Sequence, residues 1–122
     1  MADRMLHISW GAPVPGREER GLEVFNEAVV LNGQMQQDGR IESFDIVLLG
    51  ASNGPNGYME LFGTAEQLAA VQEDDDFRRL LIDAALTCVD LCVTPGVCNE
   101  GVAQQVALYQ DALTRVPHPT AA

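Results

Sequence analysis

From Met5 to Trp10 the chain alternates, with Leu6, Ile8 and Trp10 on one face and Met5, His7 and Ser9 on the other. That period of two predicts a half-buried strand. The following GAPVPG has two prolines and two glycines and must be a loop, and the charged run Arg17 to Arg20 opens a helix behind it. From about Glu18 to Gln37, Val24, Ala28, Leu31 and Met35 recur at helical spacing, with Leu22, Phe25 and Val29 beside them. They paint one broad apolar face. Gly21 and Gly33 each weaken this helix by about 1 kcal/mol relative to alanine, so packing has to hold it. Asp38-Gly39 supplies its stop.

Ile41 to Leu49 is rich in β-branched and aromatic residues and becomes almost continuously apolar, the pattern of a strand covered on both sides. The two Asn-Gly pairs of GASNGPNG make a turn longer than a two-residue hairpin, and Tyr58 to Gly63 returns as a strand. Thr64 and Gln67 form a capping box at the next helix start. That helical region is interrupted: Leu68 to Gln72 reads as helix, Glu73 to Asp76 resets it, and Phe77, Leu80, Leu81 and Ala84 restart the apolar face. The acidic residues suit the positive end of the new helix dipole. Alternation in Cys88 to Val93 predicts a fourth strand, Pro95-Gly96 a turn, and Val102, Val106, Tyr109 and Leu113 a last helix over about Asn99 to Thr114. The HPTAA tail is expected to be loose.

This order predicts an α+β, ferredoxin-like βαββαβ plait, a four-stranded antiparallel sheet with helices on one face and an added C-terminal helix. The opposite sheet face then needs cover. The stretch YMELFGTAEQLAAVQEDDDFRRLL, a strand running straight into a helix and then an acidic break with Phe and paired arginines, resembles the dimeric α/β barrel superfamily, as does the last strand leading into an extra helix. The resemblance spans Met5 to about Leu113 and is greatest to the small members of unassigned activity. It implies two plaits joined by their open sheet faces. Members include cofactor-independent monooxygenases, isomerases and cyclases, and haem-binding enzymes. No catalytic residue of the superfamily maps onto this chain.

Composition narrows the partners. The 122 residues fit one domain, with 47% hydrophobic and 20% charged positions, and only short tails at either end are expected to be loose. Eighteen Asp and Glu against seven Lys and Arg leave a net charge of −11, which repels phosphate backbones and anionic lipid. Neither nucleic acid nor membrane is expected as a partner. The N-terminus has no long apolar run, so neither signal peptide nor membrane span is expected. Three cysteines make no disulfide framework, and a reducing cytoplasm is the expected location.

Alternation places His7, Ser9, Tyr58, Glu60, Phe62, Cys88, Asp90, Cys92 and Thr94 on the open sheet face. With the first strand central, His7 is expected between Glu60 and Asp90, because cross-strand neighbours approach within ~5 Å. Such a trio can act as a general base with its orienting carboxylates, or offer two or three ligands to a divalent metal. The alternative is a hydrogen-bonded polar patch at a dimer interface, or a solvated face; a one-residue slip in register would scatter the cluster. Trp10, Phe25, Tyr58 and Phe62 are candidates to line an apolar small-molecule pocket closed by the GAPVPG loop.

Other motifs carry no chemistry. On one strand Cys88 and Cys92 would stand ~13 Å apart, beyond the ~4.4 to 6.8 Å Cα separation of a disulfide, so the cysteines are expected to be small hydrophobes. Asp90 and Glu100 are the wrong sign to activate a thiol. The glycines of SNGPNG are turn residues and not a nucleotide loop, EDDD lacks the spacing of a calcium loop, and His118 lies in the tail. No bound cofactor or metal is expected. Two readings follow: a homodimer that binds or transforms a small organic metabolite, or a non-enzymatic dimer serving structure or interaction. In both, the protein pairs with itself through the open sheet face and the C-terminal helix.

Overall fold

The computed structural model describes residues 1–50 and 53–117. Its elements follow the expected order: β1 (Arg4–Trp10), α1 (Glu18–Gln37), β2 (Ser43–Leu48), β3 (Gly57–Gly63), α2 (Ala65–Glu73), α3 (Asp75–Thr87), β4 (Cys92–Val97) and α4 (Glu100–Leu113). The strands make one antiparallel sheet, ordered β2-β3-β1-β4. Leu6 and Ile8 of β1 and Met59 and Leu61 of β3 meet Ala28, Leu31 and Met35 of α1, with Leu68, Val71 and Phe77 of the later helices closing the core. Burying these apolar side chains on one sheet face is what holds α1 despite its two glycines.

The helix starts form as their sequence dictates. Thr64 accepts from the Gln67 N–H at 3.1 Å while the Thr64 N–H donates to Gln67 Oε1 at 2.9 Å, a complete capping box. Asp74 separates α2 from α3, its carboxylate accepting from the Phe77 N–H at 3.0 Å, and Asp75 and Asp76 occupy the first turn of α3. Gly57 is required where it stands. A Cβ there would lie 2.7 Å from the Val47 carbonyl oxygen and 2.8 Å from the Trp10 ring, so its absence lets the indole lie close over the sheet.

Several expectations need correction. β4 runs from Cys92 to Val97 and not from Cys88 to Val93. Asp90 has φ 57°, a left-handed conformation that breaks the ladder, and Cys88 is the C-cap of α3. Pro95 and Gly96 lie inside the strand; β4 is at a sheet edge, where a residue without an N–H is tolerated. β2 is the other edge and is not covered on both sides, since Ser43, Asp45 and Leu48 are exposed. From Ala2 onward the N-terminal residues are held, not loose. Ala2 is buried, and its carbonyl accepts from Asn99 Nδ2 at 2.7 Å. The apolar positions of α4 do not pack within the chain: Val102, Val106, Tyr109 and Leu113 are all exposed, and Gly101 is the only buried residue of that helix. The tail beginning at His118, and Ala51 and Ser52 of the β2–β3 turn, lie outside the described residues.

Candidate functional site

The register of β1 with its neighbours decides what His7 meets. Across the open face the row reads Asp45, Glu60, His7, Thr94. His7 Nδ1 lies 3.4 Å from Glu60 Oε2, and its ring sits 4.9 Å from that of Tyr58, tilted by 32°. Asp90 does not join them. The left-handed turn leaves it beside Gly11, just past the end of β1 and four residues from His7, where the Gly11 N–H donates to the Val89 carbonyl at 2.8 Å. The second carboxylate of the row is Asp45, which faces Glu60 and not His7. The expected histidine flanked by two carboxylates is therefore a histidine with one.

The sheet's other face carries an apolar concavity. A cavity of about 320 Å³ lies between the Trp10 end of the sheet and helices α1 and α3, within the size range of small-molecule sites. Trp10 and Phe25 form part of its wall, edge to face with centroids 6.0 Å apart. Gly11 and Pro13 of the GAPVPG loop, which was expected to close the pocket, are among its lining residues. Tyr58 and Phe62 do not. Trp10 pairs with Gly57, so Tyr58 points to the opposite face with His7, and Phe62 follows the same alternation. The aromatic quartet is split between the two sides of the sheet. Leu22 and Leu48, 63% and 67% exposed, mark the rim.

Few polar groups reach this cavity, and none of the lining residues is Lys, Arg or His. Thr87 is satisfied, its hydroxyl donating to the carbonyls of Asp83 and Ala84. The Cys88 thiol donates to the Ala84 carbonyl at 3.1 Å, and burial pushes its pKa up, so it is held as a thiol. Glu18 is at the exposed edge; backbone N–H groups, its own and that of Gly16, hold its carboxyl below the usual carboxylate range. Asn32 stands apart. It is 2% exposed, and among the described residues its amide reaches only the Met59 sulfur, at 3.4 Å. A thioether is a weak acceptor. Asn32 was not singled out in the sequence. The signal was there: it lies four residues after Ala28 and three before Met35, a polar residue on the buried stripe of α1.

Among the described residues no group of three or more His, Cys, Asp or Glu side chains is placed to hold a metal ion. Cys88, Cys92 and Cys98 are all free. Cys92 is exposed on the open face and so is not the buried hydrophobe expected of it.

No protein-family model matches the sequence, and no curated protein matches it. Solved structures match its backbone. A dimeric protein of unknown function and ferredoxin-like fold from Bacteroides fragilis is 12% identical, with 78% of this chain and 96% of that chain covered and a TM-score of 0.57. This chain has the ferredoxin-like fold. A dimeric ferredoxin-like protein of unknown function from Jannaschia sp. is 13% identical over 79% of this chain and 98% of that chain, TM-score 0.57. A candidate antibiotic biosynthesis monooxygenase from Nitrosomonas europaea is 12% identical over 81% of this chain and 91% of that chain, TM-score 0.55. These are the kinds of protein that the strand and helix pattern resembles.

Proposed function

We propose that this ferredoxin-like protein is a homodimer that binds a small, mostly apolar organic molecule in the cavity beneath Trp10. The observation that carries the reading is the cavity itself: about 320 Å³ of space between sheet and helices, walled by apolar and aromatic side chains with few polar groups among them. Any transformation of the bound molecule would rely on orientation and exclusion of water. His7 and Glu60 lie across the sheet from the cavity and are better suited to the contact between two copies. The dimer reading is supported by the half-buried Met5, Tyr58 and Phe62 on the open face, by the exposed apolar stripe of α4, and by the dimeric state of two proteins of like fold. No described helix is long and apolar enough to cross a membrane. The three free cysteines support a reducing compartment such as the cytoplasm.

The cavity holds the chain's single tryptophan in its wall, which makes binding directly observable. Titration with the uncharged dye N-phenyl-1-naphthylamine should give saturable binding at one site per chain, with energy transfer from Trp10. Filling the cavity with Ala84→Leu should weaken that binding by at least about tenfold, a loss typical of an occluded apolar site. Dye binding indifferent to Ala84→Leu would sink the reading.

A further inference from the structure

A core position on α1 holds an amide whose one partner in the core is a thioether sulfur. Asn32 is buried to 2% exposure between Leu31 and Gly33, on the stripe made by Val24, Ala28 and Met35. Buried amides are almost always hydrogen-bonded to oxygen or nitrogen partners, because stripping their water without replacement is unfavourable. The Asn32 side chain meets only the Met59 sulfur, and it lines the cavity. Its remaining donor and acceptor capacity is therefore available to whatever occupies that space.

The charges around the cavity limit that occupant further. No cationic side chain lines it, the one ionisable carboxyl at its edge is Glu18, and the chain as a whole carries −11. A carboxylate or phosphate would enter without a partner, against the field. An ammonium would find no buried anion. We infer that Asn32 is the specificity-determining polar anchor of the cavity, and that the ligand is an uncharged, compact, mostly apolar molecule presenting one carbonyl or hydroxyl oxygen to that amide. The inference rests on the proposed binding function and narrows its ligand class. A cavity of ~150 Å³ holds one benzene ring, so the space here suits a molecule of about two rings.

Calorimetric titration of the full chain with indane, 1-indanone and indane-2-carboxylate separates the inference from the reading beneath it. The informative quantity is the ratio of the 1-indanone to the indane affinity, compared between the unmodified protein and Asn32→Leu, because the comparison cancels the different hydration of the two probes. The ratio should fall by about tenfold in Asn32→Leu, with indane itself bound at least as well as before, and indane-2-carboxylate should bind weakest to the unmodified protein. A ratio unchanged within about twofold would remove Asn32 as the anchor while leaving the cavity as a binding site. Carboxylate binding as tight as ketone binding, measured on the unmodified protein and so independent of whether the variant folds, would overturn the uncharged class. Failure of all three probes to bind would overturn the inference together with the binding function.

Discussion

At the scale of single residues, the informative positions are those where chemistry and environment disagree. Asn32 is a polar group at a core address, and such a residue is retained at the expense of stability when it serves recognition. Replacing it with leucine should raise the stability of the ligand-free protein by about 1 kcal/mol, several degrees in thermal midpoint, since a weakly partnered buried amide is exchanged for apolar packing. Thermal unfolding followed by circular dichroism measures this, and a large loss of stability would mean that the amide is part of the core's own architecture. His7 shows the converse case. Alternation placed it on the same face as Glu60, because a face is set by a period of two and does not depend on where a strand ends, and the register of β1 with β3 then sets the two opposite each other. Asp90 failed because its position depended on the start of β4, and the left-handed backbone at that residue is not marked by a glycine.

At the scale of elements, the sequence was legible wherever a periodic apolar face coincided with capping chemistry. The expected bounds of α1, about Glu18 to Gln37, match the helix that forms, and the reset between α2 and α3 falls on Asp74, whose carboxylate does the capping. The C-terminal half was harder to read because its signals conflict. Pro95-Gly96 has the composition of a turn, yet at a sheet edge the chain can keep pairing through it, with Pro95 opposite Leu6 and Gly96 opposite Met5. The turn falls later, at Asn99, whose φ of 49° redirects the chain into α4. Gly101 then lets α4 begin against the first residues of the chain. A Cβ there would collide with the Asp3 carbonyl. Gly101→Ala should destabilise the protein by roughly 2 kcal/mol through overpacking, and hydrogen exchange should show the loss concentrated in α4 and residues 2–4. Unchanged protection there would mean that α4 is not seated on the N-terminus.

At the scale of the whole molecule, the fold leaves two surfaces that a single chain does not use. One is the open sheet face with its row of Asp45, Glu60, His7 and Thr94; the other is the stripe of Val102, Val106, Tyr109 and Leu113 along α4. The sequence showed both as apolar or mixed faces, but a periodic face does not say whether its partner is the same chain or another copy. Light scattering at micromolar concentration should give twice the 13.2 kDa chain mass. Val106→Glu, at a position with no role in the chain's own core, should shift the balance toward the single chain while leaving its fold intact. A particle of one chain mass without the substitution would exclude the dimer.

The ligand site is a separate matter, because the cavity and the open face are on opposite sides of one sheet. The measurement that separates them most directly is the ¹H–¹⁵N spectrum of the intact protein titrated with 1-indanone. Binding beneath Trp10 should make the single indole N–H of Trp10 and the side-chain amide of Asn32 shift together and saturate, while the backbone amides of His7 and Glu60 move little. Shifts confined to His7, Glu60 and Thr94, with the Trp10 and Asn32 signals unmoved, would contradict it.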